Sequence, residues 1–276
     1  MPNFFDTHCH LNFSRFKKNV DEVVRAATEA GVKSIVIPGT DIPSSQKAIE
    51  LAQKYASEGL DMWAAVGIHP HHVFEHKDGS HELEELEKLL QEDRVVAIGE
   101  IGLDKHQYEA TKYEEYHVDD MFIEKQKALF RAQFKLGKKY GKSIIMHNRE
   151  AKAELLPIVR ELWDSSLKGK VVLHCCEPDL ELLKLAKELG LYLGVDGDLT
   201  YWAEKQEFIK AVPLEMLVIE TDAPFLLPEP LKSQKMYPNV PANVVLVAEK
   251  VAELKGETVE RVAEVTTANA RLLFGI

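Results

Sequence analysis

The chain has 276 residues, 45% of them hydrophobic and 29% charged, with a formal net charge of −11. That composition supplies a sizeable core, and the length suits a single α/β barrel. The acidic balance excludes a protein that grips nucleic acid through a broad basic surface, although bound cations can supply positive charge locally. No apolar stretch is long enough to cross a bilayer, and the N-terminus lacks the basic and apolar regions of a signal peptide. The three cysteines, Cys9, Cys175 and Cys176, include an adjacent pair and give no disulfide framework. The expected location is cytoplasmic, with no membrane association and no obligate protein partner.

Strand and helix signals alternate along the whole chain. Short apolar runs fall at Phe4–Asp6, Ser34–Pro38, Met62–Ile68, Val95–Ile98, Ser143–Met146, Val171–Leu173, Leu191–Val195 and Met216–Ile219. Most are apolar throughout, as parallel strands buried on both faces should be. Helical spacing predicts Val20–Ala30, Ser45–Glu58, Leu83–Gln91, Phe122–Tyr140, Glu154–Leu162, Leu180–Leu189 and Glu204–Ala211 between the strands, then Ala242–Leu254 and Val259–Leu273. Gly31, Gly59, Gly141 and Gly190 stand where a helix should stop. Eight β-then-α units predict one (β/α)8 TIM-type barrel over residues 1–276. The polar stretch Lys105–Asp120 and the proline-rich stretch Pro224–Pro241 read as long loops over the site.

In such barrels the chemistry gathers at the carboxyl ends of the strands. The first run ends in Asp6-Thr7-His8-Cys9-His10. Strand alternation predicts Asp6, His8 and His10 on one side, with Thr7 and Cys9 on the other. Two imidazoles at that spacing can pinch a divalent metal, but taken alone they read more plainly as a hydrogen-bonded pair. The later tips change the balance. They offer His69 in G-I-H-P, Glu100 and Asp104 in G-E-I-G-L-D, His147 and Arg149 in H-N-R-E-A, His174 in H-C-C, and Glu220 and Asp222 in E-T-D-A-P. Four histidines, one Glu and one Asp (His8, His10, Glu100, His147, His174, Asp222) following apolar runs point to a metal site, expected to be binuclear.

These motifs, with a closing N-A-R-L-L-F at Asn269 to Phe274, resemble the TatD-like metal-dependent deoxyribonucleases of the amidohydrolase superfamily over essentially the whole chain. The resemblance implies a TIM-type barrel and divalent-metal hydrolysis of DNA, usually from a 3′ end. It places His8, His10 and Asp222 around one metal and His147 and His174 around a second, with Glu100 as the bridging carboxylate. Two cations roughly 3.5–4 Å apart suit an in-line phosphoryl displacement, and a Glu between them offsets their repulsion. Asp222 or Glu100 is the expected proton acceptor. The native ions are expected among Mg, Mn and Zn.

His69, Asp104 and Arg149 are the candidate substrate contacts. For His69 the plainer reading is a loop histidine held by a backbone carbonyl. For Arg149 it is an ion pair with Glu150 or Glu154. Asp104 has three open roles: touching substrate, orienting Arg149 or positioning a loop. Glu220 reads as a metal ligand or as a buried carboxylate that orients one. His71, His72, His76, His81, His106 and His117 read as solvated, and Cys9 and Cys175 as packing.

Three positions depart from the family pattern. Pro238-Asn239-Val240-Pro241 lacks a basic residue before Asn239, Cys176 and Glu177 replace an aromatic and a small hydroxyl after His174, and Lys142-Ser143 replaces a common proline. The leading expectation is a 3′-to-5′ exonuclease acting on single-stranded DNA or nucleotide ends. The alternative is an amide, lactone or ester hydrolase of a small molecule on the same barrel, and a non-catalytic metal-bound scaffold is a third reading. No P-loop or dinucleotide fingerprint is present.

Overall fold

The structure, a computed structural model, describes residues 2–56, 60–74, 80–109, 111 and 116–276. The readings for Glu58, Gly59, His76 and part of Lys105–Asp120 lie outside the described residues. Eight parallel strands run in the order β1 to β8: Phe4–Asp6, Val32–Pro38, Asp61–Val66, Val95–Asp104, Ser143–Arg149, Val171–Leu173, Tyr192–Val195 and Leu217–Ile219. The ring closes beyond the last ladder. Thr7 N donates to Ile219 O (3.1 Å), Asp222 N to His8 O (2.9 Å) and His10 N to Ala223 O (2.8 Å).

The helices α1 to α9 span Val20–Glu29, Ile42–Tyr55, Ser80–Leu89, Asp120–Tyr140, Lys152–Leu162, Leu180–Leu189, Ala203–Ala211, Val244–Lys255 and Val259–Phe274. Gly31, Gly141 and Gly190 follow α1, α4 and α6 with positive φ, as the turn from helix into strand requires. The core divides in two. Outward residues such as Phe4, Ile35, Ile37 and Ala64 pack against the helices. The opposite faces of the strands supply Phe5, Val36, Ala65, Ala97, Ile145, Val172 and Val218, and these meet Ala270, Leu273 and Phe274 of α9. The end of α9 therefore stoppers the amino-terminal mouth of the barrel, with Phe274 packed 6.0 Å from Phe5 between ring centroids. Asn269 ties α9 to the wall by donating to Leu214 O and Leu217 O.

β4 and β5 run further than their apolar runs suggest. β4 continues through Glu100 to Asp104 and β5 through His147 to Arg149, with Gly102 paired to His147 after an irregularity between Ile98 and Ile101. Gly102 has φ +156°, and a Cβ there would sit 1.9 Å from His147 O. Only a residue without a side chain lets the two backbones approach, so Gly102 sets the spacing between Glu100 and His147. Gly102→Ala should lower stability by about 1–3 kcal/mol, the usual cost of forced overpacking, measured as the shift in denaturant midpoint. Unchanged stability would show that β4 and β5 need no such approach.

Candidate metal centre

The chain does not hold strict alternation after β1. It bends at Thr7, and this corrects the predicted parity: Asp6 turns away from His8 and His10, and Thr7 turns toward the centre. Asp6 is fully buried and accepts from Thr221 Oγ1 (2.6 Å), Thr221 N (3.0 Å) and His8 N (3.2 Å). Burial pushes its carboxyl up to about 8. Thr7 Oγ1 reaches Glu220 Oε2 at 3.1 Å. Cys9 is fully buried, and burial drives its thiol well above the ordinary range.

Six expected side chains converge above the barrel. His8 Nε2 and His10 Nε2 lie 3.2 Å apart. Asp222 Oδ1 is 3.7 and 3.4 Å from them, and Glu100 Oε2 is 3.5 and 3.7 Å away. These carboxylate distances exceed hydrogen bonds, whereas tetrahedral bonds of about 2.1 Å put ligand atoms roughly 3.4 Å apart. The other oxygen, Glu100 Oε1, faces His147 Nδ1 (2.8 Å), His174 Nε2 (3.6 Å) and His69 Nε2 (3.7 Å). The 2.8 Å contact is a hydrogen bond. The groups His8–His10–Asp222 and Glu100–His147–His174 each bring three donors close enough to hold a metal ion, and imidazole and carboxylate are the kind of ligands that divalent metals take.

The imidazoles are held in two different ways. His174 Nδ1 lies 2.8 Å from Glu220 Oε1, which also accepts from Cys175 N (2.7 Å). His147 Nε2 lies 3.1 Å from Asp104 Oδ2. Those carboxylates fix each ring and leave the other nitrogen for the centre. Among the described residues His8 Nδ1 and His10 Nδ1 have no hydrogen-bond partner. Packing holds those rings instead, His8 stacked on His174 at 3.5 Å and His10 on Phe13 at 4.3 Å.

Burial, with His174 alongside, lowers the His8 pKa, and burial drives His69 well down. Burial also opposes charge on His147 and His174, but their carboxylate partners outweigh it and raise them to about 9 and about 10. Glu100 would be raised by burial, yet the surrounding histidines hold it well below the usual carboxylate range.

Strand ends that carry these groups are conformationally unusual. Glu150, Cys175 and Asp222, next to or within the site motifs, all have positive φ (55°, 45° and 50°). Non-glycine residues enter that region at a cost that persists only where surrounding contacts impose it.

Asp104 is fully buried behind His147. Besides His147, its carboxylate meets His71 Nε2 (3.0 Å), Tyr108 OH (3.0 Å) and His106 N (2.8 Å). His71, expected to be solvated, is thus part of the support, and only its spacing from His69 hinted at this. His69 lies on the cavity wall and stacks edge-on to His147 at 4.5 Å. Arg149 also lines this cavity of about 770 Å³. It pairs with neither Glu150 nor Glu154, which meet His106 and Lys105. Instead Arg149 Nη1 donates to Tyr108 OH (2.7 Å), with the guanidinium 4.9 Å from the ring centroid. Glu177 reaches the cavity but is tied down, accepting from Asn148 Nδ2 (2.5 Å) and Glu150 N (3.1 Å). Asn239 is fully buried, and its amide donates to Thr221 O (2.9 Å), pinning the loop after β8.

One group gave no sequence signal. Lys205, on an ordinary polar stretch of α7, is fully buried with its Nζ 2.6 Å from Asp198 Oδ1 and 3.4 Å from Asp196 Oδ2. Burial opposes ionisation of Asp196, but the ammonium beside it pulls its pKa below the ordinary value. Burial and the charge of Asp196 push Asp198 up to about 8. Lys205→Met should cost on the order of 3–5 kcal/mol, because it strands buried carboxylate charge. Chemical denaturation checks this, and a loss near zero would mean the three groups are not a buried charge cluster.

The family described as TatD related DNase matches residues 5–275. The chain is 35% identical to a protein of Bacillus subtilis named uncharacterized metal-dependent hydrolase YabD, over 99% of both chains. It is 33% identical to the Escherichia coli protein named 3′-5′ ssDNA/RNA exonuclease TatD, again over 99% of both. Among solved structures, the TatD homologue YjjV of E. coli superposes with a TM-score of 0.86 at 30% identity, covering 99% of this chain and 98% of that one. The chain belongs to the TatD-related DNase family.

Proposed function

We propose that the chain is a metal-dependent phosphodiesterase that removes nucleotides from the 3′ end of single-stranded DNA. In this reading His8, His10, Asp222, His147, His174 and Glu100 would hold two divalent cations (Mg, Mn or Zn). Relatives named 3′-5′ ssDNA/RNA exonuclease TatD bring RNA ends within the same reading. The observation that carries the reading is the division of the Glu100 carboxylate, one oxygen toward each set of imidazoles. When bound, such ions supply Lewis acidity that offsets phosphate charge and activates water near neutral pH.

The side chains divide the remaining work. Asp222 is the proton acceptor, since 14% of its side chain is open to the cavity against 5% for Glu100. Glu220 and Asp104 act as positioning residues, holding His174 and His147 in one ring orientation. Arg149, carried on Tyr108 at the cavity wall, offers a guanidinium fork that matches phosphate oxygens. Glu177 spends its oxygens on Asn148 and the Glu150 backbone. It is therefore a fixed part of the cavity wall, held by neutral donors that orient its negative charge without cancelling it.

Metal-loaded protein incubated with end-labelled single-stranded oligonucleotide should shorten it stepwise from the 3′ end, and chelator should stop the reaction. Glu100→Ala and His147→Ala should each abolish turnover while circular dichroism stays native. An intact oligonucleotide with every metal, beside hydrolysis in an esterase, lactonase or amidase panel, would replace this reading with a small-molecule hydrolase. Asp104→Asn should weaken metal affinity by about 10–100-fold, the usual effect of losing such an outer partner. Titration calorimetry reads this, and unchanged affinity would remove Asp104 from the support of His147.

A further inference from the structure

Beside the catalytic cavity lies a second one of about 880 Å³. The two share Phe13, Thr40, His72 and Phe225 and so adjoin along those residues. One wall of the second chamber is the turn through Arg15 and the start of α2, and the facing wall is the loop after β8. That loop presents Phe225 and Tyr237, which are 51% and 55% exposed. Phe225 is fixed edge-on to Phe13 at 6.1 Å, and Phe13 in turn stacks on His10. An aromatic surface thus runs from the metal-ligand candidates outward along these shared residues.

Cationic side chains line the same chamber. Arg15 makes no ion pair among the described residues, and Lys47 has only an exposed pair with Glu50 at 2.8 Å. Exposed pairs of that kind contribute little and are readily exchanged for a phosphate. The acid that also lines the chamber, Asp41, is occupied as the cap of α2, accepting from Ser44 N at 2.8 Å. In a chain of net charge −11, a chamber with two available cations and two exposed rings stands out. Stacking on aromatic faces combined with backbone neutralisation is how proteins hold single strands without reading their sequence.

We propose that the second chamber is a track for the nucleotides adjoining the reacting one in a single-stranded nucleic acid. Phe225 and Tyr237 give bases a stacking surface, and Arg15 and Lys47 neutralise phosphates. This rests on the nuclease reading of the neighbouring cavity and adds to it a preference for substrate length.

The test uses metal-loaded enzyme and two kinds of substrate. Oligothymidylates from the dinucleotide to the hexanucleotide report the track, and bis(p-nitrophenyl) phosphate reports the centre alone. For the unaltered protein KM should fall as the oligonucleotide lengthens. Arg15→Glu and Tyr237→Ala should each raise KM for the hexanucleotide on the order of tenfold, as expected for one lost stack or phosphate contact. Both should leave the nitrophenyl ester, which has no adjoining nucleotide, unaffected, and this also reports intact folding. Variants that keep the full length dependence would overturn the track and leave the nuclease reading standing. Equal losses on the nitrophenyl ester would also overturn it, by showing that these residues support the centre. Hydrolysis of the ester with no oligonucleotide cleaved at any length would instead overturn the nuclease reading, and the track with it.

Discussion

One buried carboxylate is in contact with imidazoles from four separate parts of the chain. Glu100 meets His8 and His10 through one oxygen and His147, His174 and His69 through the other. A bare carboxylate in that position would be costly to bury, so the centre persists only with its cationic or hydrogen-bonding partners in place. The fold is arranged accordingly. β4 carries the acid, Gly102 draws β5 close, and Asp104 and Glu220 stand behind two of the rings.

Charge is managed locally within an acidic protein. Glu177 is bonded to the wall, Asp198 and Asp196 share a buried ammonium, and Arg149 is kept from its acidic neighbours by Tyr108. The buried ammonium offsets the charge of Asp196 and Asp198, whereas the bonds to Glu177 fix its position only. In this chain Asn239 is a loop anchor, bonded to Thr221 O and within reach of Asn243.

The strands were legible because buried parallel strands are short and uniformly apolar, and the helices because their apolar spacing is regular. The convergence of His8, His10, Glu100, His147, His174 and Asp222 was legible because each follows such a run. The extension of β4 was not, since Glu100, Gly102 and Asp104 have none of the apolar character of a buried strand. Nor was the bend at Thr7, a local break that reverses which residues face inward. His71 and Lys205 were hidden for a different reason: their partners Asp104, Asp196 and Asp198 lie on other elements. A polar residue buried by tertiary pairing looks the same in sequence as a solvated one.

The Asp6–Thr221 contact joins residues 215 positions apart and sews the first strand to the last. A ribosome making this chain delivers Asp222 long after the histidine pair His8 and His10. Until then the first strand lacks its neighbour on one edge, and its two imidazoles lack one of their two acid partners. Ring closure and assembly of the centre therefore become one late event, so a nascent chain that already resembles an α/β sheet remains unable to gather all six donors.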